Sequence, residues 1–147
     1  MMSQYINEEL RRLVMGRADF ICEYCLISAD DVFHRNQVDH IISLKHGGPT
    51  EAGNLASACF LCNLSKGTDL GSIYWPTGQL TRFYNPRSDR WAEHFQLNGA
   101  VIRPLTEIGE VTARILGFNV EDRLLERQVL IANGKYPSAA AMVTMCK

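Results

Sequence analysis

At 147 residues with 46% hydrophobic side chains, the chain has the size of one compact domain of the usual roughly 100 to 200 residues, with no room for a second large one. A net charge of −1 excludes a strongly basic protein that coats nucleic acid by charge alone, so any grip on phosphate must come from local clusters. Residues 1–75 carry 6 basic and 9 acidic side chains and residues 76–147 carry 9 and 7, which leaves the basic excess to the second half.

The amino end, from Met1 to Glu9, shows no basic stretch followed by an apolar run. No segment approaches the roughly 18 continuous apolar residues of a membrane span, so the chain reads as soluble and cytoplasmic. Asn7 has the chemistry of a helix cap, Glu8 and Glu9 sit where the helix dipole favours acids, and Leu10, Leu13 and Val14 recur at spacings of three and four. Together they predict a helix near 7–18. It leads into Phe20-Ile21-Cys22-Glu23-Tyr24-Cys25, a tight knuckle in which two thiolates can face one ion. Gln37 to Leu44 is rich in Val and Ile and reads as a strand, ended by the turn composition of Lys45-His46-Gly47-Gly48-Pro49-Thr50. A loop with Asn54 follows, Leu55-Ala56-Ser57-Ala58 reads as a short second strand, and Cys62 to about Leu70 as a short helix.

From Ser72 to Val101 aromatics alternate with turn formers, which predicts a loop-rich or hairpin region. Arg82, Arg87, Arg90, Tyr84 and Trp91 combine charge for a phosphate backbone with rings that can stack on bases. The favoured reading is that the aromatics form a second small core with the last helices while the arginines stay at the surface. Thr106 caps a helix to about Leu116, and Asn119 with Asp122 caps a last helix to about Ala132, ended by Gly134 and Pro137. The fold class is α+β.

The five cysteines fall into Cys22-x-x-Cys25, Cys59-x-x-Cys62 and a lone Cys146 near the end, read as an incidental thiol. Two C-x-x-C pairs without a signal sequence fit metal ligation in a reducing compartment better than disulfides. Zinc prefers four tetrahedral ligands, and knuckles on separate segments supply them while tying distant parts of the chain together. A closed shell of four sulfurs leaves no open position, so Zn²⁺ here is structural. His34 and His46 lack the knuckle spacing and are the weaker ligand candidates.

Val38-Asp39-His40-Ile41-Ile42, Asn54 and Asn63 stand within or beside this frame. Hydrolysis of a phosphodiester needs a nucleophilic water, charge relief on the phosphoryl oxygens and a stabilised leaving oxygen. A neutral histidine can take the proton of the water, and a hard divalent ion on oxygen ligands can relieve the charge. Neighbours on a strand point to opposite faces, so strand geometry alone leaves the roles of Asp39 and His40 open.

The pattern of helix, C-E-Y-C, V-D-H-I-I, G-G, N-L and C-x-x-C-N-x-x-K-G, from Arg12 to Gly67, resembles the HNH endonuclease family, in its zinc-containing branch with a ββα-metal fold. The resemblance implies His40 as general base, Asp39 as a ligand of a catalytic Mg²⁺ or Mn²⁺, and Asn54 as the residue that holds the loop and orients the base. It places Asn63 at the third motif position, where an asparagine can ligate the ion through its carbonyl oxygen. Lys66 is similar to a lysine that often follows and either contacts phosphate or lies on the solvated surface. The whole then reads as one nuclease domain over 1–147, with a core of about 7–70 and a carboxy-terminal extension of about 71–147. The extension also has counterparts in the family, where His94 reads as structural. The implied partner is DNA, most readily double-stranded, and two-strand cutting by a single-site enzyme would be easier for a dimer. A zinc-stabilised module that binds nucleic acid without cutting it is the rival reading.

Overall fold

The computed structural model describes residues 5–147; the first four residues of the amino-terminal stretch discussed above lie outside the described residues. Helix α1, Glu8–Arg17, begins where Asn7 accepts a hydrogen bond from the Leu10 amide at 2.8 Å. It packs on the second strand, and Arg17 in its last turn donates to the carbonyls of Ala52 and Leu55 at 2.6 and 2.8 Å.

Strands β1, Gln37–His40, and β2, Leu55–Ala58, pair antiparallel with Gln37 opposite Ala58 and His40 opposite Leu55. The first strand stops four residues before its expected end. The backbone of Ile41 and Ile42 turns instead to Asn54, and Leu44–His46 forms a 3-10 turn. Helix α2, Phe60–Lys66, starts earlier than expected because the Cys59 sulfur caps it, accepting from the Cys62 amide at 3.4 Å. A strand, loop, strand, helix unit results.

The expected hairpin region contains two hairpins: β3, Gly71–Tyr74, with β4, Gln79–Arg82, and β5, Phe95–Asn98, with β6, Val101–Pro104. Helix α3, Trp91–His94, lies between them, and α4, Glu107–Ile115, packs against β3, β4 and β6. Thr106 caps α4 as its sequence foretells. Helix α5, Glu121–Ala132, has Val120 at its cap position with no side-chain bond, because Asn119 is engaged elsewhere: its carboxamide pairs in both directions with the backbone of Ile102, at 2.9 and 2.8 Å. Helix α6, Ala139–Met145, capped by Ser138, was not expected beyond Pro137; it packs against α3.

The aromatics of the second half do not make a core of their own. Phe83, Tyr84, Trp91, Phe95 and Phe118 belong to one buried cluster with the four paired cysteines, Ile41 and Ile102. Phe95 sits at 5.4, 5.2 and 5.5 Å from the rings of Tyr84, Trp91 and Phe118. Tyr84 and Trp91 are 3% and 2% exposed, so neither ring is available to stack on a base. The architecture is a mix of helices and small antiparallel hairpins, and no helix among the described residues is long and apolar enough to cross a membrane.

Candidate active site and metal centre

The loop between β1 and β2 is closed by one side chain. Asn54 accepts from the Ile42 amide at 2.9 Å through its oxygen and donates to the carbonyls of Ile42 and Pro49, both at 2.9 Å, through its nitrogen. It acts as an extra rung of the ladder where the strand backbones diverge. Gly48 is required beside it, since a Cβ there would lie 1.7 Å from the Ile42 carbonyl oxygen and 2.8 Å from the Asn54 nitrogen. The loop so held delivers Thr50, whose Oγ1 lies 2.9 Å from Nε2 of His40. His40 is only partly buried. Burial lowers its pKa from 6.5; the Asp39 charge opposes this and the Lys66 charge adds to it. The ring is therefore neutral at pH 7, the form a base needs.

Alternation along β1 sends Asp39 to the other face, where it is 4% exposed. Its Oδ2 accepts from the Tyr24 hydroxyl at 2.7 Å and its Oδ1 from Lys66 Nζ at 3.2 Å. Lys66 also donates to the His40 carbonyl at 3.0 Å and is 1% exposed. This corrects the expectation for Lys66: the residue is neither at the surface nor placed to meet phosphate, but is an internal tie between α2 and β1. Burial raises the Asp39 pKa, opposed by Lys66 and Tyr24. Asn63 lies one turn before Lys66 on α2, half-buried, on the helix face that carries Cys59 and Cys62.

The donor chemistry of Asp39 and Asn63, a carboxylate and a carboxamide oxygen, suits a hard divalent ion. A carboxylate offers about four acceptor positions, and Tyr24 and Lys66 use two, so Asp39 retains the capacity to ligate. The ammonium of Lys66 nonetheless competes for the same charge.

The four sulfurs of Cys22, Cys25, Cys59 and Cys62 all lie within 4.8 Å of one another, with Cys25 and Cys59 at 3.7 Å. Four thiolates around one zinc at the usual distance of about 2.3 Å stand about 3.8 Å apart, so the spacing fits. Backbone amides support the set: those of Tyr24 and Cys25 point at the Cys22 sulfur, at 3.4 and 3.5 Å. Burial pushes the Cys22 and Cys62 thiols well up, whereas hydrogen bonding with the neighbouring sulfurs holds Cys25 well down. Sulfurs packed this closely ionise together only around a cation. The cluster is thus arranged for a metal ion. His34 and His46 are outside it; His34 stacks on the Phe60 ring at 4.3 Å.

The remaining sequence candidates contribute no ligand to the cysteine cluster, although Arg87 reaches Glu23 of the first knuckle. Arg82 pairs with Asp89 at 2.7 and 2.9 Å, Arg87 with Glu23, and Arg90 with Glu93 at 2.8 Å. Arg90 and Glu93 are both exposed, and such a pair is weak enough for a phosphate to exchange with the carboxylate; Arg82 is exposed too, but grips a largely buried Asp89 through two bonds. His94 bonds Thr106 at 2.7 Å, consistent with a structural part. Sequence reasoning missed Thr50 and Tyr24. Thr50 carried a signal in its position between His40 and Asn54; Tyr24 stood inside the C-E-Y-C knuckle with no role assigned to it.

Residues 22–69, about a third of the chain, match the family described as HNH endonuclease. No curated protein and no solved structure matches the chain.

Proposed function

We propose that the protein hydrolyses DNA phosphodiester bonds with His40 as general base, a reading supported by the match of residues 22–69 to the family described as HNH endonuclease. The observation that carries this reading is the partly exposed imidazole of His40, bonded to Thr50 at 2.9 Å on a loop that Asn54 closes. His40 takes the proton of the attacking water at the ring nitrogen that faces it, and Thr50 holds the ring in place meanwhile. Asp39 and Asn63 would hold Mg²⁺ or Mn²⁺, which supplies charge relief to the phosphoryl oxygens. Tyr24 and Lys66 fix the Asp39 carboxylate so that little reorganisation is left for the reaction.

Cys22, Cys25, Cys59 and Cys62 hold a structural Zn²⁺ in this reading. Arg82, Arg87 and Arg90 supply contacts to double-stranded DNA by exchanging their carboxylate partners for phosphates. The core and the carboxy-terminal extension act as one domain, in the cytoplasm.

The test is incubation of supercoiled plasmid with the protein and its His40→Ala variant, in Mg²⁺ or Mn²⁺, with and without EDTA. The parent nicks or linearises the plasmid only without EDTA. His40→Ala loses about 10²- to 10⁴-fold of this rate, the usual contribution of a positioned base, and keeps its zinc. The rival reading, a nucleic-acid-binding module without cleavage, draws on the ties of Asp39 to Lys66. Retained, salt-sensitive binding with no conversion of the plasmid would favour it.

A further inference from the structure

A zinc ion in four thiolates carries a net charge of two negative units, and the sulfurs here are almost wholly buried, from 0% to 4% exposed. A buried net charge is costly unless a counter-charge or hydrogen bonds meet it. The counter-charge comes from the far end of the chain. Arg123 on α5 is 5% exposed, and its Nη2 lies 3.2 Å from the Cys62 sulfur and 3.7 Å from that of Cys59. Its Nη1 donates to the carbonyls of Leu116 and Gly117 at 2.8 and 3.3 Å, and its guanidinium carbon stands 5.9 Å from the Phe118 ring centre. These contacts fix the plane of the fork. A guanidinium stays protonated in proteins, so a full positive charge faces the sulfurs.

The first knuckle is also met from the extension, through its backbone. Trp91 Nε1 donates to the Tyr24 carbonyl and the Tyr136 hydroxyl to that of Cys25, both at 2.8 Å. A plain role for Arg123, capping the end of α4, accounts for Nη1 alone. It leaves unexplained why Nη2 is aimed at sulfur.

We propose that Arg123 is a positioning residue of the metal centre: its Nη2 donates to the thiolates of Cys62 and Cys59, offsets part of their charge around the metal, and sets how tightly the metal is kept. The carboxy-terminal extension thereby completes a site whose ligands all lie in the amino-terminal half. This inference rests on the zinc reading above.

The experiment compares the full-length parent, Arg123→Met, Arg123→Lys and Asn119→Ala. Asn119→Ala disturbs the same region without touching sulfur. Metal content is measured first, then the rate of zinc transfer to a coloured chelator. Last comes the thiolate-to-metal charge-transfer band of the cobalt-substituted proteins. The expected result is zinc loss about 10- to 100-fold faster in Arg123→Met, the usual scale for residues that support metal ligands, with the band moved to lower energy. Arg123→Lys recovers part of both, and Asn119→Ala leaves the band in place. Should Arg123→Met fail to fold, the lysine variant carries the comparison, releasing zinc faster than both the parent and Asn119→Ala, with its band at lower energy than the parent's. If the Arg123 variants release zinc no faster than Asn119→Ala and the band does not move, the residue is a helix cap only and the proposal is overturned. A folded parent that retains no zinc would overturn the zinc reading, and this inference with it.

Discussion

Asn54 and Asn119 perform one task in two halves of the molecule. Each turns its carboxamide on an isoleucine, Ile42 or Ile102, and pairs with that backbone in both directions. The first does so beside His40, the proposed base, and so holds the loop that carries Thr50 against its ring. The second does so at the edge of β6, where it also meets Arg127 at 3.2 Å. In the proposed function the same chemistry serves catalysis in one half and architecture in the other, and the difference lies in what the stapled backbone delivers.

The largest effect that sharpens this comparison comes from the seam under His40. Lys66→Met strands the Asp39 carboxylate in the interior with Tyr24 alone, at a cost of about 3–5 kcal/mol, the usual loss when one partner of a buried pair is removed. Urea unfolding measures it. A second variant, Asp39→Asn with Lys66→Met, recovers part of the loss if the pair is the cause, whereas additive losses would show that the two residues act separately.

A smaller effect separates the two asparagines. Asn54→Ala and Asn119→Ala each leave backbone groups of an isoleucine unpaired and each cost about 1–3 kcal/mol. Only Asn54→Ala also slows plasmid cleavage, measured below both unfolding midpoints. Equal cleavage by the two variants would break the comparison, because the loop would then not be needed to orient His40.

Thr50→Val is smaller again. It removes the bond to Nε2 and keeps the size of the side chain, so it loses about 0.5–1.5 kcal/mol, up to roughly tenfold in rate, with the melting temperature little changed. An unchanged rate would assign the orientation of the ring to other contacts.

The amino-terminal half was legible because its chemistry is local. The cap at Asn7, the spacing within each knuckle and the loop asparagine all act on residues close in sequence, whereas the early end of β1 at His40 was not foreseen. Lys66 was misread for the opposite reason. Lysine is almost never fully buried without a partner, and its partner Asp39 is 27 positions away. In the second half the deciding contacts are longer still: Trp91 reaches Tyr24 and Tyr136 reaches Cys25. Arg123 and Arg127 occupy the buried face of α5 with Leu130. Basic residues at that helical spacing, in register with an apolar residue, were the only sequence sign that this helix turns charge inward. Helix α6 was missed because Pro137 was read as a terminus, although Ser138 and the alanines after it are a good start.

The central claim is that His40 acts as a neutral base, and the pH dependence of plasmid cleavage under single-turnover conditions tests it most directly. Burial lowers the His40 pKa from 6.5, so protonation that disables the base sets in only below that value. The rate should be level at neutral pH and fall on acidification with the slope of a single proton and a midpoint below about 6.5, the range of an unperturbed histidine. A rate that stays level down to pH 5, or the same acid limb in the residual activity of His40→Ala, would contradict the account.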